Sequence, residues 1–169
     1  VGTALGGGVA LAFAARHPEK VRRLVVSSPA IGGGDGLGQM LRTRADEVEQ
    51  SGMRPQVEPS LKRSYLEKYR TDPQAFTAYR NRWVANDPVS YASHNRMLAA
   101  MDETANLARI TCPTLVIGGE DDMLLTPAMM EPIAKAIPNG EYRLLPTGHF
   151  LPVNTPDVWA NEVLPWLAE

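Results

Sequence analysis

The sequence predicts an α/β fold in which parallel strands alternate with helices and a helical cap is inserted between two of the strands. Three observations support this prediction. Short apolar runs of strand length are followed by helical segments in both the first and the last part of the chain. The segment 39–102 is instead rich in charged and helix-forming residues. The chain also opens on a glycine-flanked turn that leads directly into an alanine-rich run. Strand–helix alternation of this kind is typical of parallel pairing with right-handed crossovers.

The opening turn has the spacing of a nucleophile elbow, G-x-Nu-x-G. Gly2 and Gly6 flank Ala4, and residues 6–17 have the apolar spacing of a helix. The central residue of such an elbow has a strained backbone, and we expect side chains at both flanking positions to collide with neighbouring backbone. Serine, aspartate or cysteine would stand at position 4, where this chain has alanine. The pattern therefore predicts the geometry of a catalytic site without its reactive atom.

The first part of the predicted core spans residues 1–33. Val21 to Ser28 is predicted to be a buried strand because its centre is continuously apolar. The glycine-rich stretch 31–38 does not have the glycine spacing of a dinucleotide or phosphate loop. We therefore interpret it as a hinge that leads into the cap.

The predicted cap spans residues 34–102 and contains four helices within 39–102. Methionine is flexible enough to line an adaptable apolar pocket. The residues predicted to line such a substrate pocket are Met40, Met97 and Met101 in the cap, and Met123 and Phe150 in the core. Ordinary packing of the cap on the core explains the cap methionines equally well.

The core resumes in the segment 103–169. It is predicted to contain strands at 114–118 and 141–145 and helices at 127–137 and 156–167. Polar residues follow both strands: the acidic turn 120–122 comes after the first, and His149 follows the second. Active residues of parallel sheets collect at the carboxyl ends of the strands. We therefore expect Ala4, the acidic turn and His149 to lie at one edge of the sheet.

Three stretches together resemble the α/β-hydrolase family. Gly2 to Pro29 resembles the segment that carries the elbow, its helix and the next strand. The stretch CPTLVIGGEDD resembles the strand and turn that carry the catalytic acid, and YRLLPTGHFLPVNTPDVW resembles those that carry the histidine. The order nucleophile, acid, histidine is the order of that family. Within the family, the chain looks most like the 3-oxoadipate enol-lactonase and esterase branch.

The resemblance implies a role for each matching position. Ala4 stands at the nucleophile position, and the spacing of the family's acid turn selects Asp122, with Asp121 as the second candidate. Asp122 would orient His149, and the backbone N–H of Leu5 would be one oxyanion donor. The family has further strands before the elbow, together with a loop that supplies the other donor. We therefore expect that the N-terminal strands of the sheet are missing from this sequence. The missing N-terminal part of the same protein is the partner that we expect this chain to pack against.

The resemblance implies a hydrolase of a small-molecule carboxylic ester or lactone. As written, the chain is expected to be inactive, because alanine cannot form an acyl-enzyme. Three explanations of Ala4 remain open. In the first, Ala4 is an engineered replacement of serine. In the second, the protein uses His149 and Asp122 as a general base without a nucleophile. In the third, the protein is a pseudoenzyme that only binds a ligand.

Composition excludes several other classes of protein. The 169 residues carry a formal net charge of −2, which argues against a nucleic-acid-binding protein. No apolar run reaches the length of a membrane span, and no spacing suggests a metal or other cofactor. Cys112 is the single cysteine and is predicted to be a buried structural thiol. We expect a small-molecule substrate, no nucleic acid or membrane partner and a cytoplasmic location. The sequence leaves open whether the protein forms a homo-oligomer.

Overall fold

The computed structural model describes residues 1–32 and 35–169 of the chain. These residues form two compact units. The first unit consists of Val1–Ile31 and Glu103–Glu169, and the second of Gly32–Asp102. The sequence predicted boundaries between core and cap after residues 33 and 102, and the two units divide after residues 31 and 102. In chain order the elements are β1 (Gly2–Thr3), α1 (Leu5–Arg16), β2 (Leu24–Ser27), α2 (Asp35–Ser51), α3 (Arg54–Ser64), α4 (Pro73–Val84), α5 (Pro88–Ala100), β3 (Thr114–Gly119), α6 (Pro127–Ala136), β4 (Gly140–Leu145), α7 (Leu151–Asn154) and α8 (Pro156–Ala168).

The first unit is built on a parallel sheet with the strand order β1-β2-β3-β4. The parallel α/β architecture predicted from the sequence is therefore correct. Gly2 pairs with Val26, Val26 with Val116, and Val116 with Tyr142. The strands are parallel and in register, so their carboxyl ends lie along one edge of the sheet.

Apolar side chains cover both faces of the sheet. Alternate residues of a strand point to opposite faces. Leu24 and Val26 accordingly belong to the cluster formed with α1 and α6, whereas Val25 belongs to the cluster formed with α8. A strand buried on both faces is continuously apolar, which explains the pattern of β2. Cys112 is a buried free thiol in the first of these clusters, as predicted.

The second unit contains the four helices predicted for the cap. Val57, Leu61 and Tyr65 are buried on and just after α3, and aromatic side chains of α4 pack against them. The helix α2 begins at Asp35, so residues 35–38 are helical and their assignment to a hinge was wrong. A long run of good helix formers follows them, and its propagation outweighs the poor helix propensity of two glycines. The remaining glycines of that stretch, Gly33 and Gly34, lie outside the described residues.

Two Asp-Pro pairs begin two helices of the second unit in the same way. Asp72 and Asp87 are N-cap residues whose side chains accept hydrogen bonds from backbone N–H groups of the first turn. The prolines that follow occupy the first helical position, where no backbone donor is needed. In α3, Pro55 occupies the first turn and Pro59 lies inside the helix.

Candidate active site

Ala4 forms the tight connection between β1 and α1. Its backbone has φ 51° and ψ −118°, a conformation that is unfavourable for an alanine. The N–H of Ala4 donates to the carbonyl of Ser27 at 2.9 Å. The carbonyl of Ala4 accepts from the N–H groups of Gly8 at 3.2 Å and Ala30 at 3.0 Å. Hydrogen bonds to β2, to the segment after it and to α1 therefore hold the strained residue in place.

Glycine is required at Gly2 for a steric reason. A β-carbon on Gly2 would lie 2.8 Å from the Cα of Gly7 and closer still to the carbonyl of Gly6. The same expectation for Gly6 was wrong, because a β-carbon there would meet no described heavy atom within 4 Å. The second tight position is Gly7, where a β-carbon would lie 2.9 Å from the Cα of Pro29. Close packing of α1 against the chain after β2 therefore explains a glycine one residue later than predicted.

Asp122 lies in the turn after β3 and is only 3% exposed. Its Oδ1 accepts hydrogen bonds from the backbone N–H groups of Leu124 at 2.8 Å and Leu125 at 2.9 Å. Its Oδ2 lies 2.9 Å from Nδ1 of His149. Both carboxylate oxygens are therefore engaged, one by the turn itself and one by the imidazole. Of the two candidate acids, Asp122 is the residue that the structure places against His149.

The environment of Asp122 favours its ionised form. Burial by itself would raise the pKa of this carboxyl, but the hydrogen bond and charge of His149 act in the opposite direction. The N–H of Leu125 and the hydroxyl of Ser28 also lower the pKa, and the net result lies below the ordinary value for aspartate. The carboxylate is thus suited to hold and stabilise an imidazolium.

His149 follows β4 and is 6% exposed. Its ring packs edge-on against Phe150, with ring centroids 4.7 Å apart. When Nδ1 donates to Asp122, the neutral imidazole carries its free electron pair on Nε2. This nitrogen is the one that can accept a proton, so the pair has the arrangement of a general base with its orienting acid.

The acid turn and the histidine loop are joined directly through their backbones. The N–H of Glu120 donates to the carbonyl of Leu145 at 2.9 Å, and that of Asp121 to the carbonyl of Thr147 at 3.0 Å. A β-carbon on Gly119 would lie 2.6 Å from the carbonyl oxygen of Thr147. The close approach of the two segments therefore depends on glycine at the end of β3.

The sequence did not single out Ser28, which follows β2 at the same edge of the sheet. Ser28 has φ 43°, is fully buried, and donates its N–H to the carbonyl of Ile117 at 2.8 Å. Its buried hydroxyl makes no hydrogen bond of ordinary geometry to any described residue, and it is the weakest of the groups that lower the pKa of the Asp122 carboxyl. The only available signal was its position directly after an apolar strand, since a left-handed backbone at serine cannot be predicted from residue type.

The remaining predicted site residues are spread over both units. Leu5 is the first residue of α1, where helical N–H groups have no intrahelical partner. Met123 follows the acid and is 60% exposed. Met40, Met97 and Met101 belong to the second unit. A pocket joining these cap residues to Met123 and Phe150 stays a prediction.

Two further observations concern metals and membranes. Within residues 1–32 and 35–169, no group of three or more histidine, cysteine and acidic side chains is placed to hold a metal ion. Among the same residues, no helix has the length and apolar character needed to cross a bilayer.

Three features together define an α/β-hydrolase fold. They are the parallel sheet, the strained turn between β1 and α1, and the buried pair of Asp122 after β3 and His149 after β4. The chain matches the family described as serine aminopeptidase, S33, over residues 1–149, and it belongs to that α/β-hydrolase family.

The chain is also similar to individual hydrolases. RutD of Pantoea ananatis, a protein named as a carbamate hydrolase, is 30% identical over 175 residues, which cover 99% of this chain and 62% of RutD. The 3-oxoadipate enol-lactonase 2 of Acinetobacter baylyi is 25% identical over 96% of this chain and 60% of its own. The solved enol-lactonase of Burkholderia xenovorans LB400 is 28% identical, with a TM-score of 0.94 over 99% of this chain and 64% of that one. The chain thus spans between 60 and 64% of the length of these relatives.

Proposed function

We propose that the protein is a hydrolase of a small-molecule carboxylic ester or lactone whose triad consists of position 4, Asp122 and His149. We further propose that Ala4 deprives this triad of its nucleophile. The observation that carries the proposal is the buried contact of 2.9 Å between His149 Nδ1 and Asp122 Oδ2. Such a pair serves to accept a proton on the other imidazole nitrogen. The strained backbone of Ala4 supports the placement of a nucleophile at the same edge of the sheet.

With serine at position 4, each step of acyl transfer has a group to perform it. Nε2 of His149 takes the hydroxyl proton while the serine oxygen adds to the carbonyl carbon. The bond to the leaving oxygen then breaks, and His149 returns the proton to that oxygen. Water repeats the sequence and releases the acid from the acyl-enzyme. The N–H of Leu5 would be one donor to the oxyanion.

The choice of esters and lactones follows from the relatives. A solved esterase of Thermogutta terrifontis, 26% identical with a TM-score of 0.88, is similar to this chain, as are the two enol-lactonases. These reactions share attack on a carboxyl carbon that bears an oxygen leaving group. RutD is named for carbamate hydrolysis, in which the attacked carbonyl carbon also bears an oxygen substituent, as it does in an ester. Carbamates are therefore the second substrate class to be assayed.

A second candidate function is general-base catalysis without a covalent intermediate. The specific observation behind it is that Asp122 and His149 keep their hydrogen bond although position 4 is alanine. Nε2 of His149 could then deprotonate a bound water or a carbon acid of the substrate. A pseudoenzyme that binds a ligand in the same place is the third explanation.

The test compares full-length Ala4 and Ala4→Ser proteins on small aryl esters, enol-lactones and carbamates. The nucleophile accounts for most triad catalysis, so Ala4→Ser is expected to raise kcat at least about 10³-fold. His149→Ala in the serine background is expected to abolish this gain. The matched control is His94→Ala, which removes an exposed histidine of α5 and leaves the gain intact.

Each other outcome selects a different explanation. No gain with serine, together with turnover by the alanine form that depends on His149, would favour general-base catalysis. Ligand binding without turnover in either form would favour the pseudoenzyme. A gain with serine that survives His149→Ala contradicts the triad.

A further inference from the structure

Thr147 takes part in three hydrogen bonds, one of which joins the histidine loop to the acid turn. Its N–H donates to the carbonyl of Leu145 at 2.8 Å, and its carbonyl accepts from the N–H of Asp121 at 3.0 Å. Its hydroxyl oxygen accepts a hydrogen bond of 2.6 Å from the hydroxyl of Thr155. Thr147 is fully buried and lies two residues before His149. Its position therefore affects where the imidazole meets its acid.

Thr155 is the N-cap residue of α8, yet its side chain does not cap that helix. An N-cap threonine ordinarily accepts a hydrogen bond from the second or third backbone N–H of its helix. Here the hydroxyl donates to the hydroxyl of Thr147 at 2.6 Å instead, and it makes a longer contact of 3.5 Å with the carbonyl of Leu151. Loss of such a cap ordinarily destabilises a helix. A residue that forgoes this stabilisation to hold a loop is a candidate for a positioning role.

The first turn of α8 also contacts β2, whose last residue accepts a hydrogen bond from Ala4. Trp159 lies one turn after Thr155. Its indole N–H, which can only donate, makes a hydrogen bond of 2.7 Å to the hydroxyl of Ser27. The carbonyl of Ser27 accepts the N–H of Ala4 at 2.9 Å. The carbonyl of Thr155 accepts the N–H of Trp159 at 3.1 Å, so the two residues belong to the same helical turn. That turn therefore contacts both the histidine loop and the residue that supports the elbow.

We propose that Thr155 and Trp159 are positioning residues that set the histidine loop relative to the turn at Ala4. We refer to these two residues as the α8 brace. Thr155 acts on His149 through Thr147, and Trp159 acts on Ala4 through Ser27. Neither brace residue is assigned contact with the substrate. The catalytic meaning of the brace rests on the proposed function, whereas its effect on the aspartate–histidine contact does not.

The first measurement follows the proton shared by His149 and Asp122 in the full-length Ala4 protein, by NMR at low temperature. Thr155→Val removes the hydroxyl at nearly constant volume. It is expected to speed exchange of the His149 Nδ1 proton with water by about tenfold, the effect of losing one partly buried hydrogen bond. Thr155→Ser keeps the hydroxyl and is expected to restore slow exchange. The matched control is Thr77→Val, because the hydroxyl of Thr77 also donates to a neighbour, the carbonyl of Pro73, at 2.7 Å on an exposed helix.

The second measurement isolates the other arm of the brace. Trp159→Phe keeps an aromatic ring and removes the indole donor. It is expected to speed exchange of the Ala4 backbone amide by about tenfold. Its effect on the exchange rate of the His149 Nδ1 proton is expected to be smaller than that of Thr155→Val. If Thr155→Val does not fold, Thr155→Ala replaces it, because alanine removes the hydroxyl without adding a methyl group at a polar position.

The third measurement uses the Ala4→Ser background, with active enzyme counted by the burst of product. Per active site, Thr155→Val is expected to lower kcat by about tenfold with KM unchanged, and Thr155→Ser to recover it. A purely structural role would lower the burst amplitude and leave the rate per active site unchanged. Unaltered exchange of the Nδ1 proton in both Thr155→Val and Thr155→Ala overturns the proposal. Absence of activity in the Ala4→Ser background counts against the hydrolase function and leaves the NMR result decisive for the brace.

Discussion

Asp122 and His149 are 27 residues apart in the chain, and their side chains meet at 2.9 Å between Oδ2 and Nδ1. Parallel pairing of β3 with β4 brings them together, with Gly119 opposite Leu145 at the carboxyl ends of the two strands. The turn after β3 holds the other carboxylate oxygen through two backbone N–H groups. The contact is therefore a product of strand register and of a local turn, and each can be tested.

The acid stability of the protein is expected to depend on Asp122. Its pKa is lowered in the folded state, so its contribution to stability is present above the unfolded pKa of about 3.9 and is lost as the pH falls through the lower folded value. Asp122→Asn removes this contribution. The difference in free energy of unfolding between the two proteins should therefore be largest at neutral pH and shrink below about pH 4.

Denaturant unfolding at several pH values measures this difference. The control is Glu120→Gln, which removes an exposed carboxylate from the same turn. A difference for Asp122→Asn that stays constant from pH 7 to pH 3 would contradict the assignment of Asp122 as the ionised partner of His149.

Ala4→Gly is expected to stabilise the protein. Glycine adopts positive φ without strain, and release of the strained backbone should outweigh the greater flexibility of glycine in the unfolded chain. The expected gain is about 1 kcal/mol in the free energy of unfolding. Ala14→Gly, at a buried position of α1 with ordinary helical geometry, should instead lose about 1 kcal/mol or more. A loss of stability in Ala4→Gly would mean that the elbow is not strained.

Gly2→Ala and Gly6→Ala are expected to have opposite effects, although both glycines belong to the same sequence pattern. A methyl group on Gly2 meets backbone atoms of Gly6 and Gly7, which cannot move without shifting α1. The expected cost is about 3 kcal/mol, at the upper end of overpacking effects. A methyl group on Gly6 meets open space, and alanine should stabilise the helix there by about 0.5–1 kcal/mol. Thermal and denaturant unfolding compare the pair, and equal costs would contradict the described packing.

Leu61→Ala is expected to destabilise the second unit. Leu61 is completely buried beside Val57 and Tyr65, so the substitution leaves a cavity that costs about 2–5 kcal/mol. Amide exchange within α3 should accelerate accordingly. Val89→Ala, at an exposed position of α5, should change stability by less than about 0.5 kcal/mol. Similar effects of the two substitutions would show that the apolar cluster does not hold these helices together.

The sequence by itself determined the order and type of the elements. Apolar periodicity and helix signals are local, so they predicted strands at 21–28, 114–118 and 141–145, where the structure has strands at 24–27, 114–119 and 140–145. Parallel pairing follows from strand–helix alternation, and it predicted that Ala4, Asp122 and His149 follow strands that end at one edge of the sheet. The choice of Asp122 over Asp121 came from family resemblance, because neighbouring carboxylates cannot be told apart by residue type.

Only the tertiary structure decided the contacts between segments that are distant in sequence. Whether a glycine is required depends on what faces its missing side chain, which is why Gly7 and Gly119 are tight and Gly6 is open. Thr155 has the sequence signature of a helix cap, but a buried acceptor on Thr147 competes successfully for its hydroxyl. The physical reason is the same in each case. Local propensities are set by neighbours along the chain, whereas steric exclusion and the pairing of buried polar groups are set by neighbours in space.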